Sequence, residues 1–148
     1  MRDEAVELSL EWSFGYVFKN AHRAFTRAVT KRLKPYGITL AQWYFLRELW
    51  QEQGMTQREL SRRMSVTEAT TTVALDSMEK SGLIERNRDT VQRNSLNVFL
   101  TEKGQALKDD LLQIALFVNS DATKGISKDK LTMVRDCVAT MIENLGET

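Results

Sequence analysis

Threonine, glutamine and arginine side chains that can hydrogen-bond or carry charge are grouped between residues 57 and 93 of this 148-residue chain. The set consists of Gln57, Arg62, Thr67, Thr70, Thr72, Arg88 and Arg93, and the apolar Val73 lies among them. Hydroxyl and amide groups hydrogen-bond to phosphates or base edges, guanidinium groups neutralise phosphates, and methyl groups contact thymine. These residue types therefore suit non-covalent contact with a nucleic acid better than bond-making chemistry.

Two short helices are predicted to position the first of these side chains. Thr56 and Glu59 have the T-x-x-E spacing of a capping box, so a helix should begin at Gln57. Residues 65–67 interrupt this helix, and Thr67 is suited to cap the next one. Helix, tight turn and helix form a layout whose second helix fits the major groove of double-stranded DNA.

The second of these helices has a buried face and an outward face. Thr71, Leu75 and Met78 recur at i, i+4 and i+7 and predict the buried stripe. The outward face then carries Glu68, Ala69, Thr72, Val73 and Asp76, with Thr70 at its edge. Threonines also bond to their own helix, so local capping is the alternative to DNA contact, above all for Thr67. Gly82 is well placed to end the helix.

A β-hairpin is predicted directly after this helix. Residues 83–84 and 95–100 read as short strands, and residues 85–94 read as a polar hairpin tip. Arg88 and Arg93 on such a hairpin can lie along or in a minor groove, where negative potential is concentrated. An ordinary charged turn is the alternative interpretation.

Four segments of the chain resemble the MarR family of winged helix-turn-helix regulators. They are residues 37–43 (GITLAQW), 56–60 (TQREL), 75–84 (LDSMEKSGLI) and 100–104 (LTEKG), the last beginning a helix that Thr101 caps. The resemblance implies a mainly α fold with a small antiparallel β-ribbon, in which a winged helix-turn-helix is flanked by N- and C-terminal dimerisation helices. It also implies a sequence-specific DNA-binding transcriptional regulator, not an enzyme. Such a regulator would be a ligand-responsive repressor, acting as a homodimer on a pseudo-palindromic operator.

Two regions depart from the family pattern. Similar proteins usually carry an Asp-Arg-Arg run in the wing, where this chain has Val91, Gln92 and Arg93. An arginine often follows the threonine pair of the recognition helix, where this chain has Val73. A valine can touch a thymine methyl, but it cannot neutralise a phosphate. A winged-helix module for protein–protein contact, with weak or lost DNA binding, is therefore the alternative function.

A single domain is predicted for residues 1–148. Its winged helix-turn-helix lobe would span about 39–100, and its dimerisation helices about 8–34 and 101–146. The helix after the wing carries one apolar stripe and a second apolar surface formed by Leu112, Leu116 and Phe117. A helix with two apolar faces needs two partners, so the second face suits a neighbouring chain. The alternative is that this face covers the core of a monomer.

The single histidine, His22, lies among aromatic residues on the first predicted helix. With Phe18, Trp43 and Tyr44 it is a candidate for binding a small aromatic or phenolic effector. Similar regulators often bind such compounds between the dimer platform and the DNA-binding lobe. A half-buried surface histidine is the alternative, and no other cofactor is predicted.

Composition narrows the classes of protein to which the chain can belong. The net charge is +1, so DNA binding must depend on the local placement of charge. The sequence has no nucleophile–histidine pair, glycine-rich phosphate loop, C-x-x-C or H-x-x-x-H spacing, which argues against an enzyme or a metal site. One cysteine, no signal-peptide core and no apolar run of about 20 residues predict a cytoplasmic protein that does not enter the membrane.

Overall fold

Helices dominate the fold, and two short strands form one antiparallel ribbon. The computed structural model describes residues 9–88 and 95–146. In chain order the elements are α1 (Phe14–Leu33), α2 (Leu40–Gln51), α3 (Gln57–Met64), α4 (Glu68–Lys80), β1 (Ile84–Arg88), β2 (Leu96–Leu100), α5 (Glu102–Ala106), α6 (Lys108–Ala122) and α7 (Lys128–Leu145). This confirms the predicted mainly α fold with a small β-ribbon. Of the described helices, none has both the length and the apolar content needed to cross a bilayer.

Side-chain caps fix the residues at which most of these helices begin. Thr39 forms a complete capping box: its hydroxyl accepts a hydrogen bond from the Gln42 amide (3.2 Å), and its own amide donates to the Gln42 side chain (3.1 Å). Hydroxyl caps also begin α3, α4, α5 and α7, at Thr56, Thr67, Thr101 and Ser127. Each cap satisfies an amide that has no partner within its helix. The predicted helix starts after Thr56, Thr67 and Thr101 are confirmed.

One hydrophobic core joins the helix-turn-helix to α6. Its buried apolar members are Leu33, Ile38, Trp43, Phe45, Leu46, Leu49, Trp50, Met55, Leu60, Leu75, Met78, Leu83, Ile84, Val98, Leu100, Leu111, Ile114 and Val118. The predicted inward stripe of α4 is confirmed, because Thr71, Leu75 and Met78 are all fully buried. On α2, the rings of Trp43 and Trp50 pack edge to face, with centroids 6.0 Å apart.

Gly104 lets α5 approach the start of the ribbon closely. A Cβ atom at this position would lie 2.1 Å from the carbonyl oxygen of Leu83. The Thr101 amide donates to that same oxygen (3.1 Å), and the Thr101 hydroxyl donates to the Gly82 carbonyl (2.6 Å). The Trp50 indole N–H donates to the Gly104 carbonyl oxygen (3.0 Å). These contacts explain the Leu-Thr-Glu-Lys-Gly segment: its threonine caps α5, and its glycine leaves room for a backbone carbonyl.

β1 and β2 pair antiparallel along their full lengths. The prediction that residues 85–94 form the hairpin tip was wrong in part, because residues 85–88 belong to β1. The reason is Arg86, which stands opposite the buried Val98 and pairs with carboxylates of α4. A charged residue therefore occupies the inner row of the strand, where an alternating pattern would place an apolar one.

Large apolar side chains remain exposed on α1, α6 and α7. They include Phe14 (52% exposed), Leu116 (61%), Phe117 (55%) and Val134 (60%). None of the 18 residues of α7, all of which the structure describes, is buried. The second apolar surface predicted on the helix after the wing therefore lies mostly on the outside of the single chain.

Candidate nucleic-acid interface

A tight turn joins α3 to α4 and is held by backbone and hydroxyl contacts. Ser65 takes a left-handed conformation with φ 52°, and the Val66 amide donates to the Ser61 carbonyl oxygen (3.1 Å). The Ser61 hydroxyl donates to the Thr71 hydroxyl (2.8 Å), which is a buried contact between the two helices. These contacts fix the position of α4 on α3.

Of the predicted outward residues of α4, Glu68, Ala69 and Val73 are exposed, while Thr72 and Asp76 are half-buried. Val73 is 71% exposed, and Glu68, Ala69 and Thr70 are exposed beside it. The Thr67 hydroxyl caps the helix by accepting from the Thr70 amide (3.1 Å), and it lies 2.9 Å from the Thr70 hydroxyl. Of the predicted contact residues, Thr67, Thr70 and Val73 are therefore brought together on one surface.

Gln57 and Thr72 are bonded to each other between α3 and α4. Gln57 Nε2 donates to the Thr72 hydroxyl (2.7 Å), and that hydroxyl donates to the Glu68 carbonyl oxygen (2.9 Å). Both side chains are half-buried. The pair positions α4. Only those donors and acceptors of Gln57 and Thr72 that these bonds do not use are free to contact DNA.

Arg86 connects the ribbon to α4, a role that the sequence analysis did not assign. Its Nη2 donates to Asp76 Oδ1 (2.6 Å) and Glu79 Oε2 (2.7 Å), and its Nη1 donates to Gln57 Oε1 (3.4 Å). These carboxylates, Glu79 first, raise the pKa of Arg86, whose side chain is only 14% exposed. The sequence did carry a signal, because Arg86 follows the buried Ile84 by two residues and shares its face of the strand.

We expect Glu79 to contribute to a loss of stability in acid. The hydrogen bond from Arg86 lowers the pKa of Glu79 below its ordinary value of 4.5, and desolvation only partly opposes this. A lowered carboxylate pKa adds stability above the unfolded-state pKa, and that stability is lost as the pH falls through the folded-state pKa. Urea unfolding from about pH 6 to about pH 3 should therefore show a shallower decline in unfolding free energy for Glu79→Gln than for wild type.

The control for this measurement is Glu143→Gln, which removes an exposed carboxylate from α7. It should leave the decline in acid unchanged. A Glu79→Gln variant whose pH dependence matched that of wild type would contradict the contribution of the pair with Arg86.

Two of the predicted cationic contacts, on α3 and β1, are exposed. Arg62 on α3 is 73% exposed and lies 3.4 Å from Glu59. A surface pair of this kind is worth about 0–1 kcal/mol, so Arg62 can exchange its carboxylate for a phosphate at little cost. Arg88 is exposed at the end of β1. Arg93, the other predicted wing contact, lies outside the described residues.

A cleft of about 530 Å³ opens between α1, α2 and α6. Three of the four predicted effector-binding residues line it: His22, Trp43 and Tyr44. Phe18, the fourth predicted residue, precedes His22 by one turn, about 6 Å along α1, and is not among the residues that line the cleft. Its ring centroid instead lies 6.1 Å from that of Phe14. Arg47, which was not predicted, lines the cleft with its guanidinium 5.5 Å from the Trp43 ring centroid.

Known proteins share this architecture and sequence. The family model described as "MarR family" matches residues 38–94. The HTH-type transcriptional regulator TtmR of Methylorubrum extorquens is 31% identical over 144 residues, which cover 97% of this chain and 72% of that protein. The organic hydroperoxide resistance transcriptional regulator of Bacillus subtilis is 30% identical over 131 residues, or 84% of this chain and 86% of that protein.

Solved structures agree with the sequence relatives. A MarR transcriptional regulator from Methanosarcina mazei is 30% identical, with a TM-score of 0.81 over 88% of this chain and 94% of that one. The MepR–DNA complex of S. aureus (21% identity, TM-score 0.84, 89% and 98% covered) and CouR of Rhodococcus jostii bound to p-coumaroyl-CoA (21%, 0.78, 90% and 94%) share the fold. A helix-turn-helix followed by a β-ribbon defines the winged-helix class of DNA-binding proteins. This chain belongs to the MarR family of transcriptional regulators, whose members are not enzymes.

Proposed function

We propose that the chain is a ligand-responsive repressor that binds a pseudo-palindromic DNA operator as a homodimer in the cytoplasm. The observation that carries this proposal is the outward face of α4, where Val73 is 71% exposed while the opposite stripe is fully buried. A helix presented in this way can enter a major groove without disturbing the core. MepR, which shares this fold, has been solved in complex with DNA.

The predicted contact residues take different roles in this proposal. Thr67, Thr70 and Val73 lie on the surface that would face base edges. Gln57 and Thr72 hold α4 in place and use their remaining capacity for the nearby backbone. The cations that would contact phosphates are Arg62, Arg88 and Arg93.

A homodimer is proposed because large apolar side chains of α1, α6 and α7 remain exposed in the part of the chain that the structure describes. Leu116 and Phe117 on α6 are more than half exposed, as is Val134 on α7. Burying such a face against its symmetry mate removes it from water. A two-fold dimer would place two α4 helices about 34–36 Å apart, one turn of DNA, which matches a pseudo-palindromic site.

The proposal is tested by binding the full-length protein to the DNA upstream of its own gene. Fluorescence anisotropy should show saturable binding at moderate salt, and sedimentation should show two chains per operator. Binding only at very low salt would instead support the interaction module with weak or lost DNA binding. A chain that stayed monomeric at working concentrations would overturn the dimer.

We predict that Arg93→Ala and Arg88→Ala each weaken operator binding and reduce its dependence on salt. Loss of one phosphate contact should reduce the slope of log K against log[salt] by about 0.9. Anisotropy titrations across a series of salt concentrations measure both quantities. The control is Arg135→Ala, which removes an exposed arginine from α7. If the Arg88 or Arg93 variant kept the wild-type affinity throughout the salt series, the proposed role of the replaced arginine would be refuted.

We further propose that the cleft between α1, α2 and α6 binds a small aromatic or phenolic effector. Trp43 and Tyr44 supply aromatic surface, while His22 and Arg47 supply polar groups that suit a carboxylate or phenol. CouR, which shares this fold, has been solved with p-coumaroyl-CoA. One spacing of the two α4 helices would fit the operator, and another would not. An effector that binds the second form more tightly by about 1–3 kcal/mol would shift the dimer away from the operator.

We expect aromatic acids to change the tryptophan fluorescence of the dimer in a saturable way, because Trp43 lines the cleft. His22→Ala should weaken such binding about tenfold, the loss expected for one hydrogen bond to a charged group. Trp12→Phe removes an exposed indole and serves as the control for unspecific quenching. A panel of benzoic and phenolic acids that gave no saturable change would count against the effector site.

A further inference from the structure

We propose that the outward face of α4 selects operator half-sites through thymine methyl groups, and that Val73 is the residue that reads them. This inference rests on the proposed DNA-binding function. Val73 is 71% exposed, and Ala69, one turn earlier on the same face, is also exposed. Both side chains end in methyl groups. The C5-methyl of thymine is the apolar group that base pairs present in the major groove.

The hydroxyl groups on and beside this face already have partners within the protein. The Thr70 hydroxyl lies 2.9 Å from that of Thr67. The Thr72 hydroxyl accepts from Gln57 Nε2 and donates to the Glu68 carbonyl oxygen. If these hydroxyls bonded to base edges, they would have to give up hydrogen bonds within the protein. An apolar contact by Val73 replaces no hydrogen bond. Val73 is therefore an exposed side chain of the outward face that has no hydrogen bond within the protein to give up.

The acidic residues of α4 are paired with arginines from neighbouring elements. Glu68 lies 3.6 Å from Arg58 on α3, and Asp76 and Glu79 both bind Arg86 on β1. Unpaired carboxylates would be repelled by DNA phosphates, so these pairs allow a helix with three acids to approach a groove. The surface left between the pairs is uncharged, which suits contact with a methyl group.

The test begins with selection of binding sites from random-sequence duplex DNA by the full-length protein. We expect A·T pairs to be enriched at the positions that face α4 in each half-site. Each selected thymine is then replaced by deoxyuridine, which removes only the C5-methyl. One or two of these replacements should weaken wild-type binding by about fourfold each, the value for burying one methyl group.

The matching protein variant is Val73→Ala, which keeps a good helix former at an exposed position. If Val73 reads the methyl, the deoxyuridine penalty should fall from about fourfold to below about twofold in this variant. Deoxyuridine placed outside the half-sites is the control and should leave affinity unchanged.

Three outcomes would overturn a proposal, each in a distinguishable way. If the wild-type protein bound thymine and deoxyuridine operators with equal affinity, the methyl readout would be refuted and DNA binding would stand. An undiminished penalty in Val73→Ala would assign the methyl contact to another residue and so refute the role of Val73. Failure to select any sequence would overturn the proposed DNA-binding function itself.

Discussion

Replacing Gly104 by alanine is expected to lower the free energy of unfolding by about 2–4 kcal/mol, because the new methyl group has no space. Its Cβ would lie 2.1 Å from the Leu83 carbonyl oxygen and 3.1 Å from Leu100 Cδ2. The first of these neighbours is backbone and cannot rotate away. Relief would require α5 to move from the ribbon, which would also strain the hydrogen bond from Trp50 to Gly104.

Urea unfolding at a fixed protein concentration measures this loss, since the stability of a dimer depends on concentration. The matched control is Gly15→Ala on α1, where a new Cβ meets nothing within 4 Å. That variant should be neutral or more stable by up to about 1 kcal/mol, because alanine is the better helix former. Equal stability of the two variants would show that the close approach at Gly104 is not needed for the fold.

Replacing Val73 by glutamate should weaken operator binding by about 100-fold or more. The change places a carboxylate at an outward position of α4 where the wild-type side chain is 71% exposed, and there it would face DNA phosphates with no protein cation assigned to it. Juxtaposed like charges cost several kcal/mol, and about 2.7 kcal/mol corresponds to 100-fold in affinity. Folding should be unaffected, because glutamate is at least as good a helix former as valine at an exposed site.

Val73→Lys is the counterpart that separates charge from size. Lysine is larger than glutamate but gains attraction to phosphates, so its loss of affinity should stay within about tenfold. Anisotropy titrations at one salt concentration compare the two variants, and circular dichroism checks that both are folded. Wild-type affinity in Val73→Glu would mean that this face of α4 does not approach DNA.

Local patterns in the sequence were sufficient to predict the helix-turn-helix. Capping threonines determine helix starts through contacts within four residues, so Thr56 and Thr67 could be identified without knowledge of the fold. The inward stripe of α4 follows from helical periodicity alone. The winged-helix family could be predicted because its segments keep their order and spacing.

The contacts that depend on packing between distant segments could not be predicted in the same way. Arg86 is joined to Asp76 and Glu79 only because the ribbon folds back on α4, and its charge made β1 resemble a turn. Phe18 shares an aromatic helix face with His22, but the α1 residues that line the cleft run only from His22 to Val29. Arg47 lines the cleft with its guanidinium over the Trp43 ring, and nothing in its local sequence indicates that it could contact a ligand.

The edge-to-face tryptophans of α2 have an optical consequence. Their ring centroids are 6.0 Å apart at an interplanar angle of 69°, close enough for their electronic transitions to couple and give a paired signal in ultraviolet circular dichroism. One indole lines the cleft, while the other donates its N–H to the backbone of α5. An occupied cleft and a loosened α5 would therefore perturb the same exciton band, so the chain carries an intrinsic chromophore pair that reports on both the cleft and the α5 contact without an added label.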